Sequence, residues 1–438
     1  MYVIYRILTA LSMILLAPYY AFRGWRRGES SVGERLGHLS RAIIDRAASR
    51  PGAIWIHAVS VGEVLAAKPL AEGLKQRFPG RLVFVSTTTE TGQRLARERM
   101  AFVDGIFYFP LDWIIPVRRA LRAISPSLVI VMETEIWPNF LREARRRGVP
   151  VAFVNARISE KSFARFERWE FLVGPFFARA LEDAEVFFAQ SPEDAARLAK
   201  MGAHDKRVEV TGNLKYDSEP PAMSRFGSWL AGEIQRQERW PVLVAGSVVA
   251  EEEEAVLAAY DIVQRRWRRA LLVLAPRKPN RFESAARLAN EGGWNVVRRS
   301  GVNLDVPLDE NTDVLVLDSI GELAGLYSLA DAAFVGGSLV RSGGHNILEP
   351  AWFAKPPVFG PSMENFRDMA DQFLNAHAAV QVRSGPQLGK VWVQLIEDQP
   401  LKERMGRAAL ELTERSRGAT ARSLDRIAAL LTKREQAA

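Results

Sequence analysis

From about residue 53 onward, short apolar runs alternate with longer amphipathic stretches. Continuous apolar runs are typical of strands buried on both faces, and the stretches between them, such as 64–77 and 92–100, have helical spacing. This alternation predicts a parallel α/β architecture. The predicted strands are 54–59, 82–86, 128–132, 151–155, 186–190 and 208–211 in the first half, and 242–245, 271–275, 314–317, 332–335 and 357–359 in the second.

A break in this pattern at 216–228, which contains Pro220 and Pro221, predicts a linker. Apolar runs and amphipathic stretches alternate in the same way on either side of the break. This similarity predicts two Rossmann-like domains that face each other across a cleft. The predicted bounds are 1–22 for an N-terminal segment, 23–218 for the first domain, 219–228 for the linker, 229–400 for the second domain and 401–438 for C-terminal helices.

The N-terminal segment 1–22 is almost wholly apolar apart from Arg6, and Arg23, Arg26 and Arg27 follow it. A helix needs about 20 residues to span a membrane, so the segment is near the lower limit. No small-x-small cleavage site follows it, which disfavours a secretory signal peptide. We therefore predict a membrane-anchor or interfacial helix with the body of the protein in the cytoplasm. The alternative is a buried first helix of the soluble domain.

The composition is that of a globular protein, since 48% of the 438 residues are hydrophobic and 25% are charged. The absence of cysteine excludes a disulfide framework and a thiolate metal site, and none of the five histidines is paired at i and i+4. We therefore predict neither a metal nor a cofactor.

The net charge of +8 calls for an anionic partner. An anionic membrane surface or a phosphorylated substrate would suit it, and no nucleic-acid-binding module is present. The basic clusters are Arg142, Arg145, Arg146 and Arg147, and Lys161, Arg165 and Arg168.

A loop rich in glycine and serine follows the predicted strand 332–335. Glycines let a backbone approach a bound group, and free N–H groups at the next helix favour an anion such as phosphate. The loop lacks both the P-loop lysine and the Gly-x-Gly-x-x-Gly spacing, which argues against a triphosphate or a dinucleotide. Asn346 and Glu349 lie one helical turn apart, where Glu349 would accept hydrogen bonds from ribose hydroxyls. An ordinary strand-to-helix turn is the alternative interpretation.

Three charged residues follow strands of the first half, where ligands of open α/β sheets bind. Glu63 either complements the dipole of the helix that it opens or acts as a general base. Glu133 ends an apolar strand, a costly place for a carboxylate without a partner. Lys215 would neutralise Glu133 or an anionic substrate, or would simply be solvated.

In the second half, Arg277 and Lys278 offer two cations to a phosphate at a strand end. The loop 318–322 also ends a strand and opens a helix, so both converge by topology on the same crevice as the glycine-rich loop. The four glutamates 251–254 are predicted to form a solvated helix start, and His57 and His345 to be structural.

These motifs, taken in order, resemble the 3-deoxy-D-manno-octulosonic acid (Kdo) transferases, GT-B enzymes that attach Kdo to the lipid A precursor. Each motif is weak alone, but the ordered set is specific and covers nearly the whole chain. The motifs are Ser60-Val61-Gly62-Glu63, Glu133-Thr134-Glu135-Ile136-Trp137-Pro138-Asn139, Gly212-Asn213-Leu214-Lys215, Pro276-Arg277, Gly321-Glu322-Leu323, Gly336-Gly337-Ser338 and Asn346-Ile347-Leu348-Glu349-Pro350, after the N-terminal segment.

The resemblance implies a GT-B fold and an inverting transfer of Kdo from CMP-Kdo to lipid IVA, on the cytoplasmic face of the bacterial inner membrane. Glu63 matches the catalytic base of the family, and Glu133 and Lys215 match positions that stabilise the transition state. The positions that match CMP-binding residues in the second domain are Pro276, Arg277, Ile320, Gly321, Glu322, Asn346, Ile347, Leu348 and Glu349.

Three departures from the family pattern bear on donor affinity: Lys278 stands where histidine is usual, Ile320 where methionine is usual, and Val248-Val249 where a more polar pair is common. Two other functions stay open from the residues alone. One is a GT-B transferase that uses a UDP-sugar, which would share the fold. The other is a non-enzymatic membrane-anchored binding protein. The sequence leaves open the number of Kdo residues added and the oligomeric state.

Overall fold

The structure, a computed structural model, describes residues 4–7, 9–12 and 31–436. The chain forms two compact α/β units. One contains the residues up to Ser218 together with those from Ser416 onward, and the other is the continuous stretch Glu219–Arg415. Two parallel-sheet α/β domains, as predicted from the alternating pattern, are therefore confirmed.

Within the described residues, the first unit has a seven-stranded parallel sheet with the order β3-β2-β1-β4-β5-β6-β7. Its strands are β1 Ala53–His57, β2 Val83–Thr87, β3 Gly105–Tyr108, β4 Pro126–Met132, β5 Val151–Ala156, β6 Val186–Ala189 and β7 Val208–Val210. Its helices are Ser31–Arg35, Arg41–Ser49, Val61–Arg77, Glu90–Arg99, Ile114–Ile124, Pro138–Arg146, Glu160–Leu181, Pro192–Lys200 and Ala419–Glu435.

Both faces of this sheet are covered, which is why its strands are continuous apolar runs. Alternate residues of β1 enter different cores: Ala53 and Trp55 pack on one side of the sheet, and Ile54 and Ile56 on the other. All four side chains are fully buried. The sheet thus holds its strand ends in fixed positions.

The second unit repeats this arrangement over its described residues, with the strand order β10-β11-β9-β8-β12-β13-β14. Its strands are β8 Val242–Val248, β9 Leu271–Pro276, β10 Val296–Arg298, β11 Val314–Val316, β12 Ala332–Val335, β13 Pro357–Phe359 and β14 Val380–Gln381. Its helices are Arg225–Arg236, Glu253–Gln264, Phe282–Glu291, Leu323–Leu326, Leu348–Ala351, Arg367–Asn375, Gly385–Glu397 and Gln399–Arg415.

The sequence pattern missed the strands β3, β10 and β14, which lie at sheet edges. Each is short, and β3 begins with Gly105, which lowers its strand propensity. The pattern also ended β8 at residue 245, whereas the strand continues to Val248 through an irregularity in its pairing with β9. That continuation contains a glycine and a polar residue, so it does not match the apolar pattern of a buried strand.

The predicted C-terminal segment 401–438 is divided between the two units. The helix Gln399–Arg415 belongs to the second unit, and the helix Ala419–Glu435 packs in the first, where Ile427 is buried in the core with the helix Val61–Arg77. The carboxylate of Asp217 fixes the start of this last helix, because it accepts hydrogen bonds from the N–H groups of Gly418 at 2.6 Å and Thr420 at 2.5 Å.

The predicted anchor 1–22 lies mostly outside the described residues, as do Arg23, Arg26 and Arg27. Residues 4–7 and 9–12 are helical. They contact the first unit, since the Tyr5 hydroxyl donates to Asp112 at 2.8 Å and Arg6 pairs with Glu143 at 3.3 Å. Over the described stretches, the helices are too short or too polar to cross a bilayer.

We predict that Ile427→Ala lowers the free energy of unfolding by about 2–5 kcal/mol, because it leaves a cavity in the core beneath the last helix. Urea unfolding followed by circular dichroism measures the change. The matched control is Lys433→Ala on the exposed side of the same helix, for which we expect a change within about 0.5 kcal/mol. Equal effects of the two variants would contradict the placement of this helix.

Candidate active site

Each sheet has a central point where the strand order reverses, and ligands of such folds bind at the carboxyl ends of the strands there. In the first unit this point lies between β1 and β4, and in the second between β8 and β12. The residues that follow these four strands therefore define two candidate sites.

Glu63 lies at the reversal point of the first unit, in the first turn of the helix that follows β1. Its carboxylate accepts hydrogen bonds from the Val59 N–H at 2.8 Å and the Ser60 hydroxyl at 2.9 Å. The side chain is buried, with 6% of its surface exposed. Burial, followed by the negative charges of Glu133 and Glu135, raises the pKa of Glu63 to about 7. A carboxylate with this pKa exchanges protons readily near neutral pH.

Glu133 directly follows β4 and has a positive φ of 53°, which is strained for a residue with a side chain. Its carboxylate lies 3.4 Å from the ammonium of Lys215, so the pairing predicted from the sequence is present. Lys215 is held by a short helical turn whose first residue, Leu214, donates its N–H to the Asn155 side chain at 2.9 Å. The structure thus brings Glu63, Glu133 and Lys215 together at one edge of the sheet.

The reversal point of the second unit is occupied by Glu252, which the sequence did not identify. Its carboxylate accepts N–H groups from Gly337 at 2.6 Å, Ser338 and Leu339 at 2.7 Å, and Val249 at 3.1 Å. These loop N–H groups therefore bind Glu252 and are not available to a phosphate, whereas the prediction from the sequence concerned the N–H groups where the next helix begins.

The glutamates 251–254 were predicted to be solvated, which is wrong for two of them. Glu252 and Glu253 are fully buried, and Glu253 pairs with Arg281 at 2.6 Å. Glu251 and Glu254 are exposed as expected. A run of like charges at a helix start is typical of a solvated surface, and it conceals two carboxylates that face inward.

Arg277 follows β9 and is oriented by His345. The Arg277 Nε donates to His345 Nε2 at 3.0 Å, and His345 Nδ1 lies 2.7 Å from the carbonyl of Gly336. The geometry assigns a neutral imidazole protonated at Nδ1, and burial, together with Arg277, lowers the pKa of His345. Gly337 makes room for this ring, because a Cβ there would lie 2.3 Å from Nδ1. His345, predicted to be structural, thus positions a candidate phosphate-binding side chain.

In the loop that carries Ile320, Gly321 and Glu322, neighbouring side chains already engage the Glu322 carboxylate. Glu322 is held by Arg299 at 3.0 Å and by the Ser319 hydroxyl, and the guanidinium of Arg299 lies 4.2 Å from the centre of the Phe226 ring. Gly321 has a φ of 92°, and 81% of the surface of Ile320 is exposed. Any ligand contact from Glu322 would have to compete with Arg299.

The turn 346–349 follows the glycine-rich loop. Ile347 and Leu348 are fully buried, and Pro276 at the end of β9 is buried, so their side chains belong to the core. The Asn346 side chain accepts the N–H of Leu348 at 3.2 Å and hydrogen-bonds to Glu349. Burial raises the pKa of Glu349 to about 7, which makes it a second carboxylate that changes charge near neutral pH.

In the part of the chain that the structure describes, no cluster of three or more His, Cys, Asp or Glu side chains is arranged to hold a metal ion.

Comparisons with known proteins identify the family of this chain. A family model described as 3-deoxy-D-manno-octulosonic-acid transferase matches residues 30–218. The chain is 33% identical to a 3-deoxy-D-manno-octulosonic acid transferase of Haemophilus influenzae over 91% of each chain. It is 35% identical to one of Bordetella pertussis, over 94% of this chain and 96% of the relative.

Among solved structures, the S. aureus MnaA–UDP co-structure superposes with a TM-score of 0.57 and 16% identity. The match covers 87% of this chain and 97% of that one. At this identity the likeness concerns the fold alone.

We predict that Glu63→Gln stabilises the protein at pH 8 by about 1–3 kcal/mol and that this gain vanishes near pH 4. In the unfolded chain the carboxyl group ionises above its ordinary pKa of 4.5, but in the fold only above about 7. Its ionisation therefore costs stability, progressively from pH 4.5 to 7 and fully above pH 7, and glutamine avoids this cost.

Urea unfolding of parent and variant across this pH range measures the difference. The control is Glu98→Gln, which replaces an exposed glutamate of the same unit and should show no such trend. A gain from Glu63→Gln that is independent of pH would rule out a raised pKa.

Proposed function

The chain belongs to the Kdo transferase family and is an enzyme that transfers Kdo in lipopolysaccharide biosynthesis, and on that premise we propose that it moves Kdo from CMP-Kdo to lipid IVA with Glu63 as the catalytic base. Membership of this family decides against a UDP-sugar transferase and against a non-enzymatic binding protein. The observation that carries the proposal is the buried Glu63 carboxylate, whose pKa of about 7 suits a general base.

In the proposed reaction, ionised Glu63 accepts the proton of an acceptor sugar hydroxyl. The hydroxyl oxygen forms a bond to the anomeric carbon of Kdo, the bond between that carbon and the CMP phosphate oxygen breaks with inversion, and CMP departs with the electron pair. The hydrogen bonds from Val59 and Ser60 hold the carboxylate so that the same oxygen atoms face each incoming hydroxyl. Both bonds also stabilise the ionised form that the reaction needs.

Glu133 and Lys215 have complementary roles in this proposal. The charge of Glu133 helps to keep Glu63 basic, and the Lys215 cation offsets the accumulation of carboxylates around it. The Lys215 cation would also attract the carboxylate that the transferring sugar carries, which helps to hold the sugar in the site. The strained backbone of Glu133 supports such a role, because strain of this kind clusters at active sites.

We assign donor binding to the second unit and acceptor binding to the first. Arg277, fixed by His345, would bind the CMP phosphate, since Glu252 already occupies the nearby loop N–H groups. Glu349 and Asn346 would bind the ribose hydroxyls. Pro276, Ile320, Gly321, Ile347 and Leu348 would contribute backbone contacts and shape, and Glu322 would hold its loop through Arg299.

We propose that the enzyme works at the cytoplasmic face of the bacterial inner membrane, attached through an apolar surface of the first unit. Ile4, Ile7 and Leu11 on the N-terminal helical segment are each more than half exposed, at 56%, 54% and 51%. The Tyr5 ring lies 5.3 Å from that of Phe176, which places this segment beside the helix Glu160–Leu181. That helix exposes Trp169, Phe171 and Leu172. Adsorption to an anionic, acylated surface needs this kind of patch.

We predict that Glu63→Gln lowers the rate of Kdo transfer from CMP-Kdo to lipid IVA by about 10²–10⁴-fold, because the variant cannot accept a proton. Product masses from purified protein measure the transfer and count the sugars added. For the parent, kcat/KM should fall about tenfold per pH unit below pH 7, as Glu63 becomes protonated. Glu98→Gln is again the control. A folded Glu63→Gln variant with the parental rate would exclude Glu63 as the base.

We predict that Arg277→Lys raises the KM for CMP-Kdo about tenfold, because lysine cannot offer a paired guanidinium contact to the phosphate. Lys278→Ala, which changes the neighbouring cation, should raise it by no more than about threefold. His345→Ala should act like a milder form of Arg277→Lys, since it frees the guanidinium without removing it. Steady-state kinetics at saturating acceptor distinguish these outcomes, and a larger effect at Lys278 would reassign the phosphate contact.

A further inference from the structure

A groove of about 560 Å³ begins at the carboxylates of Glu133 and Glu135 in the first unit. It runs between the segments that follow β4 and β5 and the helix Glu160–Leu181. The groove is therefore continuous with the proposed catalytic site through Glu133, and the residues that line the rest of it have no role in the reaction derived above.

One wall of the groove is an apolar stripe on the helix Glu160–Leu181. Phe166, Trp169, Val173 and Phe177 are separated by three or four residues, which places them on one face of the helix. From the first to the last, this stripe extends about 16 Å. Phe166 is buried, whereas half of the surface of Trp169 is exposed. An apolar face of this length, left open beside a catalytic site, suits a long and narrow apolar ligand.

Two arginines lie among the lining residues near the carboxylates. Arg157 is fixed relative to the Glu133 loop, because its N–H donates to the Thr134 hydroxyl at 2.8 Å and its carbonyl accepts from that hydroxyl at 2.7 Å. Arg165 is exposed, and within the described residues no hydrogen bond or ion pair engages its guanidinium. The groove thus combines cations with an apolar wall, a pairing that matches an anionic head attached to a hydrocarbon chain.

We propose that this groove binds one acyl chain of the acceptor along the helix stripe, while Arg165 and Arg157 bind a phosphate of its sugar head group. This inference rests on the proposed function and adds a specificity site to it. Each methylene buried against the stripe strengthens binding roughly fourfold. If the groove holds both the acyl chain and the phosphate of the acceptor, the sugar hydroxyl is oriented toward Glu63. Less entropy is then lost in reaching the reactive geometry.

The first experiment compares two aromatic truncations on the same helix, Trp169→Ala inside the groove and Phe171→Ala outside it. Transfer is measured with the tetraacylated disaccharide bisphosphate and with its fully deacylated form. We expect Trp169→Ala to reduce the preference for the acylated acceptor at least tenfold, and at least fivefold more than Phe171→Ala does. If the two variants lose this preference equally, general adsorption to lipid explains it, and the proposal that the groove binds an acyl chain is wrong.

The second experiment tests the phosphate contact with Arg165→Ala and the neighbouring exposed arginine variant Arg168→Ala. We expect Arg165→Ala to raise the KM of the bisphosphorylated acceptor about tenfold and to have a several-fold smaller effect on a dephosphorylated acceptor. Arg168→Ala should not discriminate between the two acceptors. If Arg165→Ala affects both acceptors equally, the phosphate contact is wrong.

Direct binding separates this inference from the proposed function. Binding of the tetraacylated disaccharide bisphosphate to the intact protein is measured without donor, in detergent, for the parent, Trp169→Ala and Phe171→Ala. If the parent fails to transfer Kdo from CMP-Kdo but its binding depends on Trp169, the proposed reaction is wrong and the groove stands. If transfer proceeds and Trp169→Ala leaves binding unchanged, the proposed acyl-chain site is wrong and the proposed reaction stands.

Discussion

Every strand pair described in the two sheets is parallel, and this constraint determines where chemistry can occur. Parallel strands deliver all their carboxyl ends to one edge, so the residues that follow them are held together by the sheet itself. The two units use their reversal points in opposite ways. In the second, Glu252 joins the segments after β8 and β12 through four N–H groups and becomes part of the framework. In the first, Glu63 has two donors and remains able to change its charge.

Holding the carboxylates of the first unit close together lowers the stability of the fold. The same proximity raises the pKa of Glu63, which is the property that the proposed function requires. Burial and like charges keep Glu63 protonated to a higher pH than an ordinary glutamate, and Lys215 offsets the charge of the nearby Glu133 at 3.4 Å. A site that is at its most stable when protonated is one that readily accepts a proton. The rigid sheet below, with both faces covered, supplies the stability that the site itself lacks.

The sequence predicted the central strands because burial on both faces makes them continuous apolar runs, and it predicted Glu63, Glu133 and Lys215 because each directly follows a strand or turn of that pattern. Three of the four edge strands, β3, β10 and β14, were not predicted, because each is short and β3 begins with a glycine. The role of Glu252 was not predicted for another reason, because its loop partners lie 85 to 87 residues further along the chain. Local pattern carries no signal for such a contact, and the same holds for His345 and Arg277, which are 68 residues apart.

The division of the first unit into two pieces of chain has a consequence for biosynthesis. The second unit is one continuous stretch, Glu219–Arg415, whereas the first needs the helix Ala419–Glu435 to cover the core beneath Val61–Arg77. A ribosome releases the chain from its N-terminus, so the second unit is complete before the first has its last helix. The unit whose synthesis begins first therefore finishes folding last, and the proposed base Glu63 lies on a helix whose packing is completed only after residues 419–435 have been synthesised.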